Sequence, residues 1–232
     1  MGFTDGIAIV PARGGSKRLP RKNVLPFRGR PILAYTVDAA RATGRFSAII
    51  VSTEDDEIAA VAKAAGAEIH RRPPALATDA ATVVEVCIDV LDRKAEAGVR
   101  PAWFACLYAT APLRTAADIA TVVDLLDPPE TCFGMAVTAI RQPPHAALRR
   151  AGDGKLAPMW PDLIERRASD FGELVIDNGS TYAVMVEPFR AARTFYGKSL
   201  RGHVMPRERS VDIDYPDDFA LAEYFAARAG TR

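Results

Sequence analysis

The sequence predicts an α/β protein built on a mainly parallel sheet with helices on both faces. Two observations carry that expectation. Strand-like apolar runs alternate with stretches of helical period, and the runs are hydrophobic throughout, as strands covered on both faces require. A third observation gives the sheet a working end. The first run breaks off into glycines and cations, where an open sheet of this kind places its ligand crevice.

Ile7–Ala12 is the first run and ends at Arg13-Gly14-Gly15. Beyond a basic loop, Pro31 suits the first position of a helix, and Ile32, Leu33, Val37 and Ala40 repeat at helical spacing up to Gly44. Ala48–Ser52 is the second strand. Thr53 can cap a helix opening on Glu54-Asp55-Asp56, whose acids suit the positive end of its dipole, and Gly66 closes it. A short strand follows at Glu68–Arg71. Thr78 or Asp79 then caps a helix whose apolar face is Val83, Val84, Cys87, Ile88 and Leu91. Trp103–Tyr108 reads as a strand, Ala116–Leu126 as a helix and Gly134–Ile140 as a strand, with right-handed crossovers between parallel neighbours. The rhythm fails between Arg141 and Ile176, which holds Pro143, Pro144, Pro158, Pro161 and a Gly-Asp-Gly turn. That stretch is either a surface excursion or an arm reaching a second subunit. Thr181–Val186 returns as a strand, Pro188–Phe195 as a short helix, Ser210–Ile213 as a strand and Pro216–Ala227 as a helix. Residues 1–232 thus read as one domain, with 141–176 inserted.

Composition narrows the function classes. Hydrophobic residues make up 49% of the 232 and charged residues 25%, which is globular rather than disordered. Lys and Arg total 30 against 29 Asp and Glu, so no basic excess points to nucleic acid and any cationic site must be local. No apolar run approaches the roughly 20 residues of a bilayer span. No cationic region precedes the first apolar stretch, and Gly6 stands where a myristoylation signal wants Ser or Thr, so a cytoplasmic protein is expected. Cys87, Cys106 and Cys132 lack CxxC spacing and read as reduced core thiols.

Arg13-Gly-Gly-Ser-Lys-Arg-Leu-Pro-Arg-Lys-Asn23 is the most informative stretch. Gly14 and Gly15 lack a Cβ, so their N–H groups can approach phosphate oxygens, with Arg13, Lys17, Arg18, Arg21 and Lys22 around them. The alternative is a solvated charge run. There is no GxxxxGK[ST] and no GxGxxG, so a loop that grips a triphosphate by other means is expected. Asp212 and Asp214 stand at i and i+2, on one face of an extended segment, while Val211 and Ile213 face the other way. Either they are two solvated acids on an edge strand, or they converge with phosphate oxygens on Mg²⁺, which rarely takes a full protein cage. His70, His145 and His203 are dispersed without ligand spacing, and no GxSxG elbow is present.

Residues 9–23, Ile-Val-Pro-Ala-Arg-Gly-Gly-Ser-Lys-Arg-Leu-Pro-Arg-Lys-Asn, resemble the signature of the CMP-sialic acid synthetases, the acylneuraminate cytidylyltransferases. Further matches run in order through Ile-Val-Ser-Thr (50–53), Arg-Arg-Pro (71–73), Leu-Ala-Thr-Asp (76–79), Thr-Ala-Pro-Leu-Arg (110–114), Asn-Gly-Ser-Thr-Tyr (178–182) and Val-Asp-Ile-Asp (211–214). The resemblance implies a Rossmann-like nucleotidyltransferase domain with a dimerisation extension, a homodimer, and CMP transfer from CTP to the C2 hydroxyl of a nine-carbon nonulosonic acid with Mg²⁺. It implies that Ala12, Arg13, Gly14, Gly15, Ser16, Lys22 and Asn23 hold the phosphates and that Arg72 and Thr82 lie near the cytidine. Asp212 and Asp214 match the metal carboxylates. Tyr108, Thr110, Asn178, Tyr182, Phe195 and Tyr196 fall on the sugar side, and Arg166 with Arg167 in the arm. By the same resemblance Arg13, Lys22, Asp212 and Asp214 are the catalytic residues, with no dedicated general base evident.

Cys-Leu-Tyr-Ala-Thr-Ala-Pro (106–112) departs from the Gln-Pro-Thr-Ser-Pro type of the neuraminic acid enzymes and looks like the pseudaminic acid cytidylyltransferases. A phenol in place of an amide suits a less hydroxylated sugar. Tyr108 as a plain strand residue is the other reading. Pseudaminic acid is therefore the expected substrate, ahead of legionaminic and neuraminic acids. A CMP-Kdo synthetase and a non-catalytic nucleotide-binding regulator on the same fold are the rivals.

Overall fold

The computed structural model describes residues 5–230. Its elements in chain order are β1 (Gly6–Pro11), a tight hairpin of β2 (Pro26–Phe27) and β3 (Arg30–Pro31), α1 (Ile32–Ala42), β4 (Phe46–Thr53), α2 (Asp56–Ala64) and β5 (Glu68–Arg71). Then follow α3 (Val83–Glu96), β6 (Trp103–Leu107), α4 (Ala116–Val123), β7 (Phe133–Ala139), a second small hairpin of β8 (Leu148–Arg150) and β9 (Leu156–Pro158), and β10 (Val175–Met185). α5 (Val186–Ala192), β11 (Leu200–Val204) and α6 (Pro216–Ala229) complete the chain. The main sheet runs β11-β7-β10-β6-β1-β4-β5. Every neighbouring pair is parallel except those made by β10, which lies antiparallel between β6 and β7.

Alternation along β1 explains the layering. Ala8 and Val10 pack toward α1, α2 and α4, while Ile7 and Ile9 pack toward α3 and α5, and all four are fully buried. A strand screened from water on both sides has to be apolar at every position, which is why these runs show no polar period. The sheet reverses direction of growth at β1, with β4 on one side and β6 on the other. A crevice opens outside the strand ends at such a switch point, so the loop after β1 faces it.

Several expectations are corrected. Asp55, not Thr53, caps α2: its carboxylate accepts from the Ile58 N–H, whereas Thr53 completes β4 and its hydroxyl accepts from Asp55 N–H. Thr82, not Thr78 or Asp79, caps α3, because Glu85 closes a reciprocal capping box with it. Strand β10 begins at Val175, inside the stretch read as irregular, and β11 was not expected at all. Conversely Ser210–Ile213 is not a strand. A 3-10 turn at Arg207–Arg209 precedes it, and its ladder is reduced to one bond, Ile213 N–H to the Thr110 carbonyl at 2.9 Å. The alternation survives without the strand, since Val211 and Ile213 enter a third core cluster with Phe27, Ile32 and Ala222 of α6.

Candidate active site

Two adjoining cavities lie along this crevice. The larger, about 460 Å³, is walled by the loop after β1, the segment before α3 and the end of β6. Of the residues expected at the nucleotide, Arg13, Ser16, Lys22, Asn23 and Arg72 line it, with Asp214 of the expected metal pair, while Tyr108 and Thr110, expected on the sugar side, lie on this wall instead. Three of the expected phosphate residues do not line it. Ala12 is buried in the core beneath, its N–H bonded to the Ser52 carbonyl at 3.0 Å. Gly14 points its N–H at Glu54 Oε1, 2.7 Å away, and its Cα abuts the Asp55 carboxylate, where a Cβ would lie 2.6 Å from Oδ2. The need for glycine here is this close approach to α2 rather than to the cavity. Gly15 has open space around it.

Every cation of the loop is matched to a carboxylate. Arg13 and Lys17 pair with Asp79 at 2.8 and 2.5 Å, Arg21 with Asp55 and Glu57, and Arg18 and Lys22 with Asp214. Lys17 first and Arg13 second hold the Asp79 carboxyl below its ordinary range. Asn23, 5% exposed, donates its amide to the Arg13 carbonyl at 2.9 Å and so fixes the shape of the loop.

The Lys22 Nζ–Asp214 Oδ1 contact of 2.6 Å spans the crevice, joining the basic loop to the acidic segment. Asp214 sits on the wall of the first cavity and Asp212 on the wall of the second, so the pair straddles their boundary. The backbone N–H of Asp214 is held by Asp218 in the first turn of α6. Asp212 accepts the Thr110 hydroxyl. Burial, reinforced by the nearby charge of Asp214, pushes the Asp212 carboxyl above its ordinary range, while the Thr110 hydroxyl works against that rise. A cation on the pair relieves both effects. Among the described residues no group of three or more His, Cys, Asp or Glu side chains is gathered as a metal cage. Two hard oxygen donors beside a cation-lined cavity nevertheless fit Mg²⁺, which keeps waters and takes phosphate oxygens as ligands.

The second cavity, about 440 Å³, contains Asn178, Tyr196 and Asp212, together with Asp177 and Gly179. It exists because β10 carries a bulge: its register against β7 jumps between Asp177 and Tyr182, with Gly179 at φ 65°. A Cβ on Gly179 would stand 2.7 Å from Asp212 Oδ2, so this turn leaves the room that carboxylate occupies. Asp177, which the sequence did not single out, organises the cavity. Its Oδ2 accepts the Tyr182 and Tyr196 hydroxyls at 2.7 and 2.6 Å, and its Oδ1 accepts the Gly179 N–H. The Asp177 carboxylate, by accepting the Tyr196 hydroxyl, lifts that phenol to about 12. Tyr182 and Phe195 are expected sugar contacts that lie instead behind the wall, 4% and 6% exposed, ring against ring at 4.7 Å. Thr82 is spent on capping α3. Arg166 and Arg167 lie in the arm beyond β9, Arg166 over Phe171, and line neither cavity.

Comparison with known proteins follows this geometry. A family model described as cytidylyltransferase matches residues 7–138. N-acylneuraminate cytidylyltransferase of Escherichia coli O18:K1:H7 (strain RS218 / NMEC) is 30% identical over 220 residues, covering 94% of this chain and 51% of that protein. The chain thus spans about half the length of that relative. Pseudaminic acid cytidylyltransferase of Campylobacter jejuni subsp. jejuni serotype O:23/36 (strain 81-176) is 28% identical over 221 residues, with 94% of each chain covered. Among solved structures, CMP:2-keto-3-deoxy-manno-octonic acid synthetase complexed with CTP superposes with TM-score 0.69 at 17% identity, covering 99% of this chain and 100% of that one. At that identity the likeness is one of fold.

Proposed function

Because the chain belongs to the cytidylyltransferase family, we propose that it transfers CMP from CTP to the C2 hydroxyl of a nonulosonic acid and releases pyrophosphate. The observation that carries this reading is the Lys22–Asp214 contact, which sets a triphosphate-sized cationic wall against an acidic segment at the mouth of a second, sugar-sized cavity. In the reaction the C2 oxygen forms a bond to the α-phosphorus, the bond from that phosphorus to the bridging oxygen of the β-phosphate breaks, and the hydroxyl proton leaves to water. Chemistry of this kind rests on positioning and charge stabilisation. Arg13, Lys17, Arg18 and Lys22 neutralise the triphosphate and the departing pyrophosphate, and Asn23 keeps the loop in register. Asp212 and Asp214 would hold Mg²⁺, whose chemistry there is to offset charge at the reacting phosphate. Asn178, Asp177 and Tyr196 orient the sugar.

Pseudaminic acid is the favoured sugar, because Tyr108, on the wall of the larger cavity, sets a half-buried phenol ring 5.5 Å from the Tyr182 ring behind the second, where an amide would invite more hydroxyls. The test is pyrophosphate release with CTP and a panel of pseudaminic, legionaminic and neuraminic acids and Kdo. Release with pseudaminic acid well above the others is the expected result. Release with Kdo alone assigns a CMP-Kdo synthetase, and tight CTP binding without release from any sugar assigns a non-catalytic binding protein.

We further propose a homodimer through residues 141–176 and a cytoplasmic location. The hairpin arm exposes Leu148, Leu156, Met159 and Trp160, with Leu156 60% exposed, a cluster of apolar side chains of the sort that a partner covers. Three free thiols support a reducing compartment. No helix among the described residues is long and apolar enough to cross a membrane. Leu156→Asp combined with Trp160→Asp is expected to give a monomer by light scattering where the parent chain is a dimer. A parent chain that scatters as a monomer removes the dimer proposal.

A further inference from the structure

Arg72 reaches the nucleotide cavity from the residue after β5, and its guanidinium is nearly buried, 7% exposed, without a carboxylate hydrogen-bonded to it. Its Nε donates to Ser52 Oγ at 3.2 Å and its Nη2 to the Ser52 carbonyl at 2.8 Å. Behind Ser52 the contacts continue: Ser52 Oγ lies 3.1 Å from His70 Nδ1, and His70 Nε2 lies 2.8 Å from Asp89 Oδ2 on α3 in a close, bent contact. Side chains from β4, β5 and α3 thereby form one line that ends at the cavity wall.

The chemistry of the donors gives this line a single direction. A guanidinium only donates, so Ser52 Oγ accepts from Arg72, and its one hydrogen is left for His70 Nδ1. That nitrogen then carries the lone pair and Nε2 the proton, with the Asp89 carboxylate 2.8 Å away but outside hydrogen-bond alignment. Burial, opposed by Asp89, holds His70 below its ordinary range, in the neutral form the line requires.

We propose that Ser52, His70 and Asp89 are positioning residues that aim the Arg72 guanidinium at the base of the bound nucleotide and so set nucleotide affinity and the preference for cytosine. The inference rests on the CTP reading of the larger cavity. None of the three lines that cavity. They act through Arg72.

His70→Phe, Asp89→Asn and Ser52→Ala are compared with the parent protein by calorimetric CTP binding without sugar and by pyrophosphate release at saturating sugar. Loss of one hydrogen bond is worth about 0.5–1.5 kcal/mol, so Kd and KM for CTP are expected to rise roughly three- to tenfold. kcat stays within about twofold, and the preference for CTP over UTP narrows. His70→Gln, which keeps an acceptor and a donor, recovers part of the loss. In an Arg72→Lys background, which lacks Nε, the same substitutions add nothing further. Unchanged Kd and selectivity in any folded variant of the three overturns the inference, as does a loss of melting temperature and kcat with Kd unmoved. If His70→Phe does not fold, Asp89→Asn and His70→Gln decide the matter. A parent protein that neither binds CTP nor releases pyrophosphate overturns the function reading instead.

Discussion

Asp214→Asn is expected to lower kcat by about 10²–10³-fold, the size seen when one preorganised charge-stabilising group is removed from a reacting centre, while CTP binding without added metal stays the same or tightens. The two effects have opposite signs for one reason. In the free protein Asp214 occupies Lys22 and Arg18, so the carboxylate competes with phosphate for the same cations. Removing its charge frees them for the triphosphate but takes away one of the two carboxylates proposed to hold the metal. Lys22→Ala shows the reverse bias, with KM for CTP rising and Asp214 left with Arg18 alone. Steady-state kinetics, with a far-UV spectrum to show that the fold persists, checks both. Full turnover in Asp214→Asn with Mg²⁺ supplied would falsify the metal assignment.

Asp118→Ala is expected to cost about 3 kcal/mol of stability, near the lower end of the range for breaking a buried ion pair. Asp118 is 2% exposed and receives both Nε and Nη2 of Arg209 at 2.9 Å, and it closes the capping box at the start of α4. The lower end applies because Arg209 is itself 39% exposed and partly screened. For a chain of this length the loss corresponds to a melting point lower by roughly 6–12 °C. The same pair predicts a pH dependence. Burial alone would raise the Asp118 carboxyl, but Arg209 and the Thr115 cap outweigh it and hold it well below the usual range. A depressed folded value means stability fully present above the unfolded value near 3.9 and lost as pH falls toward the folded one. Asp118→Asn should therefore flatten the acid side of the stability curve below about pH 4, and a curve identical to the parent's there removes Asp118 as its origin. Because Arg209 ends the turn that leads into Ser210–Asp214, the loss also loosens Asp212 and Asp214, so kcat should fall along with melting temperature.

The fold was legible where burial is two-sided. Ile7–Pro11, Ala48–Ser52 and Trp103–Leu107 sit between helical layers, and their unbroken apolarity follows from that position. Helix starts were less so, since Thr53, Asp55, Thr78, Asp79 and Thr82 are all competent caps. The choice among them depends on the whole local geometry: Thr82 wins at α3 because Glu85 three residues on closes a capping box with it, whereas Asp79 is engaged by Arg13 and Lys17 across the cavity. β11 was illegible because Leu200–Val204 is an edge strand with little burial, so no apolar period marks it. In the site, the charged ends could be read from spacing and resemblance. Asp177 could not, because only the bulge in β10 brings it to the Tyr182 and Tyr196 hydroxyls. Nor could the diversion of Gly14 toward Glu54.

The matched charges of the loop after β1 have a kinetic consequence. On the proposed reading, an incoming triphosphate meets no bare cations; it would swap with tethered acids, as an anion does on an exchange resin already loaded with a weaker counter-ion. Occupancy then reflects the difference between two sets of partners rather than the full attraction of four positive side chains. When pyrophosphate has formed, Asp79 and Asp214 stand ready at contact distance to reclaim Arg13, Lys17, Arg18 and Lys22. On the proposed reaction, the arrangement that tempers uptake is expected also to speed release of pyrophosphate.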